Sequence, residues 1–291
     1  MRFAAWRRSI PAPLKSCLKW LLGWVYWARR RLRQLLGGGS LGARAVASPA
    51  VVQPRGAAVE LPPDAPDCLV ASNEHGTYCV PRSSHHRPVA EAILRSRVWE
   101  ADTLDLVRGV ESGADIVHAG TYFGDFIPAL ARSRTDGAVV WAFEPGAENF
   151  RCSEITVELN ELENVVLTHA GLGASDGDAL LATSDRAGLA LGGASRLITD
   201  RARARWHANE EVRLVTVDGI VGADRPVAAI QLDVEGHEQE ALTGAMRTIE
   251  RCRPLIVLET LPDEDWLARN LAPLGYEVGE SVNRNFLLRC R

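Results

Sequence analysis

The run DIVHAGTYFGD, residues 115–125, passes from a short apolar segment directly into two glycines four apart, Gly120 and Gly124. A helical pattern over 123–132 follows. An apolar run that stops at a glycine turn and resumes as a helix reads as a strand–turn–helix unit. The glycines let the backbone turn tightly and approach a ligand, and the start of the helix offers unpaired N–H groups. The spacing is not G-x-G-x-x-G, which disfavours a nicotinamide dinucleotide.

The same pattern recurs on both sides of this run. Strands are predicted over 138–143, 165–169, 212–216, 228–232 and 255–258, and helices over 148–159, 238–248 and 263–274. Upstream, 68–72 and 77–80 read as a hairpin or paired edge strands, followed by helices over 89–97 and 100–110. Residues 276–279 and 286–289 suit an antiparallel pair that ends the sheet. The stretch 171–210 is polar and Gly-rich, with room for a hairpin, and no internal repeat is present. Alternating strands and helices imply an α/β fold with a doubly wound, mostly parallel sheet, whose ligand lies at the carboxyl ends of the strands.

Those ends carry the chemistry. The strand VVWAF ends at Glu144, where an acid can accept both hydroxyls of a ribose. The strand at 228–232 runs into DVEGHE, which sets Asp233 and Glu235 two apart, with His237 within reach. Such a group supplies a general base, or ligands for a divalent metal; no metal is assigned from the pattern. Glu235 and Glu238 also suit a helix start, and Glu259 either lines the same cleft or forms a salt bridge. Asp218 is expected to cap a short helix.

The 291 residues allow one large domain or two small ones, and 46% apolar with 24% charged residues is ordinary globular composition. Six cysteines with no C-x-x-C pair argue against a disulfide scaffold or zinc ribbon and suit a reducing, cytoplasmic compartment. The net charge of −4 hides an asymmetry: residues 1–58 hold eleven of the 33 basic residues and none of the 37 acidic ones. The acidic remainder is a poor nucleic-acid binder. Residues 1–36 read as a basic amphipathic helix. Leu14, Leu18, Leu21, Val25, Ala28, Leu32 and Leu35 form one stripe, and Trp6, Trp20, Trp24 and Trp27 are half of the eight tryptophans. Its longest uncharged run is nine residues, Trp20 to Ala28, too short to span a bilayer. The expectation is an in-plane helix, residues 12–36, on the cytoplasmic membrane face; the same stripe also suits packing against protein. Residues 37–66 read as a flexible Gly/Ala/Pro tether, and 67–291 as the folded domain.

In this order, GADIVHAGTYFGDF, VVWAFEPGAENF, VRLVTVDGI, IQLDVEGHEQEALTGA and PLIVLET resemble the FkbM family of S-adenosylmethionine-dependent methyltransferases, over roughly residues 98–290. The resemblance implies a Rossmann-like class I methyltransferase fold, with seven strands and the last antiparallel, and O-methylation, often of a sugar hydroxyl. It implies that Gly120 and Gly124, with His118 and Thr121 beside them, cradle the methionine part of S-adenosyl-L-methionine. Glu144 would hold the ribose, with Asn149 following its block, and Ala170 and Gly171 would lie near adenine. Asp233 would face the transferred methyl, with Glu235 and His237 beside it. The chain departs from the family pattern at His118, where an acid is usual, at Thr121-Tyr122, where Ala-Asn is usual, and at Gln231, where lysine is common. The expected function is O-methylation of a small-molecule or glycan acceptor; the rival is a degenerate methyltransferase-fold module that binds without catalysis. Arg186, Arg196, Arg201, Arg203 and Arg205 are expected over the cleft, meeting substrate or solvent.

Overall fold

The computed structural model describes residues 61–198 and 208–291. The basic helix, the tether up to residue 60 and Arg201, Arg203 and Arg205 lie outside these residues.

A seven-stranded sheet forms the centre. Its strands are β3 (Asp115–Ala119), β4 (Val140–Phe143), β5 (Val165–Thr168), β10 (Val227–Leu232), β11 (Leu255–Leu258), β12 (Tyr276–Val282) and β13 (Asn285–Cys290), in the spatial order β12-β13-β11-β10-β3-β4-β5. The five strands from β11 to β5 run parallel, and β13 lies antiparallel between β11 and β12. All five residues of β3 are buried, which is why it reads as one apolar run. Successive residues face opposite sides. Val117, Ile230 and Ile256 pack on Leu242, Ile249 and Trp266; Ile116, Ala229 and Val257 pack on Leu104, Val107, Ile127 and Leu130. The first group includes helices α6 (Glu238–Thr243), α7 (Met246–Cys252) and α8 (Glu264–Asn270); the second includes α2 (Ala101–Arg108) and α3 (Ile127–Arg132).

The hairpin of β1 (Cys68–Ser72) and β2 (Thr77–Pro81) is antiparallel, as expected. With α1 (Pro88–Leu94) and α4 (Ala147–Leu159) it forms a third core around Tyr78, Phe123 and Ile155. At the amino end of the large sheet the fully buried Asp115 carboxylate accepts from Arg225 Nε (2.8 Å) and Nη2 (2.5 Å), Trp141 Nε1 (2.7 Å) and Val139 N (2.9 Å). This clamp ties together β3, β4 and the approach to β10.

Several boundaries differ from the sequence reading, for local reasons. The helix expected over 123–132 starts at Ile127, because Tyr122 (φ 53°) and Gly124 (φ 84°) occupy the left-handed region. The single helix expected over 238–248 is two, parted at Gly244, where a Cβ would sit 2.1 Å from the Gly173 carbonyl oxygen. The helix expected over 263–274 ends at Asn270, and a 3-10 turn holding Pro273 carries the chain to left-handed Gly275. Asp218 lies in the short α5 (Val217–Ile220), but Thr216 caps it, accepting from Gly219 N. Asp218 Oδ1 instead accepts from Thr248 N (2.9 Å) and Oγ1 (2.7 Å) of α7.

The largest difference is 171–210. In place of a loop with a hairpin it forms a second sheet of β6 (Gly171–Leu172), β7 (Gly177–Ala182), β8 (Arg196–Ile198) and β9 (Asn209–Val215), in the order β6-β9-β7-β8. The strand expected over 212–216 is present within β9.

Candidate active site

The carboxyl ends of β3, β4, β5 and β10 open into a narrow well with about 30 Å³ of free space. Gly120, Glu144, Ala170, Gly171 and Asp233 line it from the large sheet. Leu181, Gly192, Gly193 and Leu197 line it from the inserted sheet and its loops. Gly120 is there by necessity: its φ is +79°, and a Cβ would stand 1.8 Å from the Asp233 carbonyl oxygen. Main-chain bonds hold this crossing, with Asp233 N donating to Ala119 O and Gly120 N to Phe143 O, both at 3.1 Å.

Glu144 is buried and accepts from Tyr122 N (2.9 Å), Gly146 N (2.9 Å) and Asn149 Nδ2 (3.3 Å). Burial pushes its carboxyl up to about 7, against the pull of these three bonds. Asn149 does not line the well; it links Glu144 to the Gly192 carbonyl (3.4 Å) and so joins β4 to the insert. Gly124 and Thr121 do not line the well either. Gly124 packs near Ile127 and Thr156, and Thr121 is fully buried, with Oγ1 lacking a hydrogen-bond partner.

A larger cleft of about 220 Å³ adjoins the well and shares Gly120, Gly193 and Asp233 with it. Glu100, Asp125, Asp233, Glu235 and Glu259 bring five carboxylates to it; Arg87 and Arg284 bring two positive charges, and Trp99 a half-buried aromatic face. Asp233 is raised well above the usual carboxylate range by burial, then by Glu259, Glu235 and Glu100. Burial also raises Asp125, to about 7.

His118 lines this cleft and not the well. It stacks on Phe126 at 5.8 Å, and burial lowers it to about 4, so the ring is neutral. Its Nδ1 is hydrogen-bonded to the Gln231 side-chain oxygen. Two departures from the family pattern are thus neighbours on β3 and β10: a neutral histidine–glutamine pair stands where acid and lysine are usual. The third, Tyr122, lines the cleft, with Oη 2.5 Å from Ser84 Oγ. Its ring has room because Gly192 and Gly193 lie against it; Cβ atoms there would come within 2.7 Å of Oη and 3.2 Å of Cδ1.

His237 is not brought to either cavity. It precedes α6, is buried, and its Nδ1 lies 3.7 Å from Glu240. Among the described arginines expected over the cleft, Arg196 reaches Glu235 at 3.6 Å, and Arg186 is exposed. Sequence reasoning missed Asp125, Glu100, Trp99, Arg87 and Arg284. Asp125 directly follows the second glycine of the turn, a signal that was available; the others come from segments far away in sequence.

The family description Methyltransferase FkbM domain matches residues 118–279, more than half of the chain. No curated protein matches the sequence. Among solved structures, the chain is similar to a methyltransferase FkbM from Methylobacillus flagellatus KT (16% identity, TM-score 0.42, covering 61% of this chain and 44% of that one). It is also similar to a methyltransferase from Geobacter sulfurreducens (15%, 0.38, 66% and 78%). A third is the Pyrococcus abyssi tRNA (uracil-54, C5)-methyltransferase, in complex with S-adenosyl-L-homocysteine (14%, 0.37, 76% and 43%). The chain spans less than half the length of the first and third of these structures. No helix of the described residues is long and apolar enough to cross a membrane. The extent of the family match decides the assignment: the chain belongs to the FkbM family of S-adenosylmethionine-dependent methyltransferases.

Proposed function

We propose that the chain methylates a hydroxyl of a saccharide, glycan or glycolipid. The observation that carries this is the junction of the two cavities at Gly120, Gly193 and Asp233, which gives cofactor and acceptor separate spaces with one shared wall.

The lining of the well suits S-adenosylmethionine, whose entry must part walls that enclose only about 30 Å³ of free space. A carboxylate offers about four acceptor positions, and Glu144 uses three within the chain. One remains for a ribose hydroxyl, and the long Asn149 contact is the one a second hydroxyl would displace. The absence of a side chain at Gly120 leaves the wall open, and Leu181 and Leu197 exclude water. When bound, the cofactor supplies a sulfonium methyl for in-line displacement by an acceptor oxygen held about 3–3.5 Å away. Asp233 stands at the junction, and its raised affinity for a proton suits it to receive the one the acceptor hydroxyl loses. Trp99 offers a flat apolar face, and Glu100 and Asp125 accept hydroxyl hydrogen bonds, together a complement to a polyhydroxylated ring. Five acids against two arginines disfavour a polyanionic acceptor. The basic segment 12–36 would hold the enzyme peripherally at the cytoplasmic face of an anionic membrane, where lipid-linked acceptors are within reach. Loss of cosedimentation with anionic vesicles on deleting 1–36 is the expected outcome there.

Calorimetric titration of the full chain with S-adenosylmethionine and S-adenosylhomocysteine tests the reading. Micromolar binding, abolished in a folded Glu144→Ala variant, supports it and justifies an acceptor screen of glycans. A folded protein that binds neither ligand overturns it in favour of the non-catalytic binding module.

A further inference from the structure

Three of the five acids in the larger cleft converge. One carboxylate oxygen from each of Asp233, Glu235 and Glu259 lies within 4.8 Å of the others. The fold enforces this. Asp233 and Glu259 are the first residues past β10 and β11, parallel neighbours whose last residues, Leu232 and Leu258, are in register. Glu259 N donates to Leu232 O at 3.3 Å, so the two acids leave the sheet side by side. Glu235 is turned back towards them by left-handed backbone at Glu235 (φ 54°) and Gly236 (φ 97°). A glutamate in that region is uncommon and is held there by its surroundings. Arg196 meets Glu235 from the insert at 3.6 Å and balances one of the three negative charges.

A separate observation points to the same place. His118 is 3% exposed and lines the same cleft, and its Nε2 has no hydrogen-bond partner. With Nδ1 bonded to the Gln231 oxygen, Nδ1 carries the proton and Nε2 is a bare acceptor. A buried acceptor of this kind calls for a donor. His118 lies outside the 4.8 Å group but lines the same cleft as its three carboxylates.

We propose that Asp233, Glu235 and Glu259 bind one hard divalent cation, Mg2+ or Mn2+, whose coordinated water donates to His118 Nε2. An all-oxygen ligand set selects this class over zinc or copper, and Mg2+ characteristically keeps several waters on one or two carboxylates. Cation binding does not depend on the methyl-transfer reading; its use does. With the cation in place Asp233 becomes a ligand, and the cation itself weakens the O–H bond of an acceptor hydroxyl.

The test uses the full chain, stripped with chelator and freed of it, and titrated with Mn2+ while electron paramagnetic resonance follows the free ion. One Mn2+ per chain is expected, displaced by Mg2+, with affinity at least tenfold weaker in Glu259→Gln and in Glu235→Gln and unchanged in Glu264→Gln. The exposed position of Glu259 makes its variant safe for folding, as circular dichroism checks. No stoichiometric binding, or binding indifferent to Glu259→Gln and Glu235→Gln, overturns the proposal. Cofactor titration of the same preparations separates the two readings: intact S-adenosylmethionine binding without Mn2+ binding removes the cation site alone.

Discussion

Replacing Gly120 by alanine tests the crossing on which both cavities depend. Two costs are separable. The residue has φ +79°, and an L side chain in the left-handed region costs about 1–2 kcal/mol. The new Cβ would also stand 1.8 Å from the Asp233 carbonyl oxygen, whereas a normal carbon–oxygen contact is about 3.3 Å, so β3 and β10 must part by roughly 1.5 Å at their ends. That shift breaks the Asp233 N–Ala119 O bond, at about 1–3 kcal/mol for each of the two buried groups left unpaired. The expected loss is roughly 3–8 kcal/mol, against about 5–15 kcal/mol for a whole domain. Gly137 supplies the control. Its φ is +76°, but a Cβ there meets nothing within 4 Å, so Gly137→Ala carries only the backbone cost, about 1–2 kcal/mol. Urea unfolding followed by circular dichroism measures both. If Gly120→Ala falls within about 0.5 kcal/mol of Gly137→Ala, the strand ends are not held together and the argument for a shared wall fails.

Restoring the family's charges gives a double-mutant cycle. His118→Asp and Gln231→Lys each bury a lone charge and should each destabilise by about 3–5 kcal/mol, while the double variant recovers at least about 1 kcal/mol; strict additivity would show that the pair is not coupled. Arg225→Leu strands the buried Asp115 carboxylate and should cost about 3–5 kcal/mol in urea unfolding, with Trp141→Phe costing only about 1. Stability should fall as pH rises from 5 to 7.5 in chelator. Burial raises Asp125, Glu144 and Glu238 to about 7, so across that window the folded protein holds protons the unfolded chain has released. His118, lowered to about 4, and His237, also lowered by burial, oppose this, and a melting temperature that rises over the same interval would refute the net sign.

The central strands were legible because parallel strands buried on both faces are continuous apolar runs, as in IVHA and IQL. The inserted sheet was not. In β7 the burial runs exposed, exposed, buried, half-buried, buried, buried, and acids and glycines interrupt the strand signal. The break at Gly244 depends on the Gly173 carbonyl, some seventy residues earlier, which no local pattern records. Gly120, Glu144, Ala170, Gly171 and Asp233 line one cavity, as their places at strand ends led one to expect, because a strand end marks its own position. Trp99, Glu100 and Arg284 escaped because they reach the cleft from α1–α2 and β12–β13, whose local sequences carry no motif. His237 is close in sequence to Asp233 but lines neither cavity.

The inserted sheet leaves and re-enters the large domain at one point. Gly171 and Leu172 of β6 lie beside Leu214 and Val215 of β9 in parallel register, and Gly173 N donates to Val215 O at 2.9 Å. The intervening forty or so residues therefore hang from a closed doorway. Lengthening or shortening a loop whose ends already meet changes its closure cost only slowly, about 0.6 kcal/mol per doubling. The lining that Gly193 and Ala194 give to the larger cleft can thus be exchanged as a cassette, and a new specificity reached, without renegotiating the core that carries it.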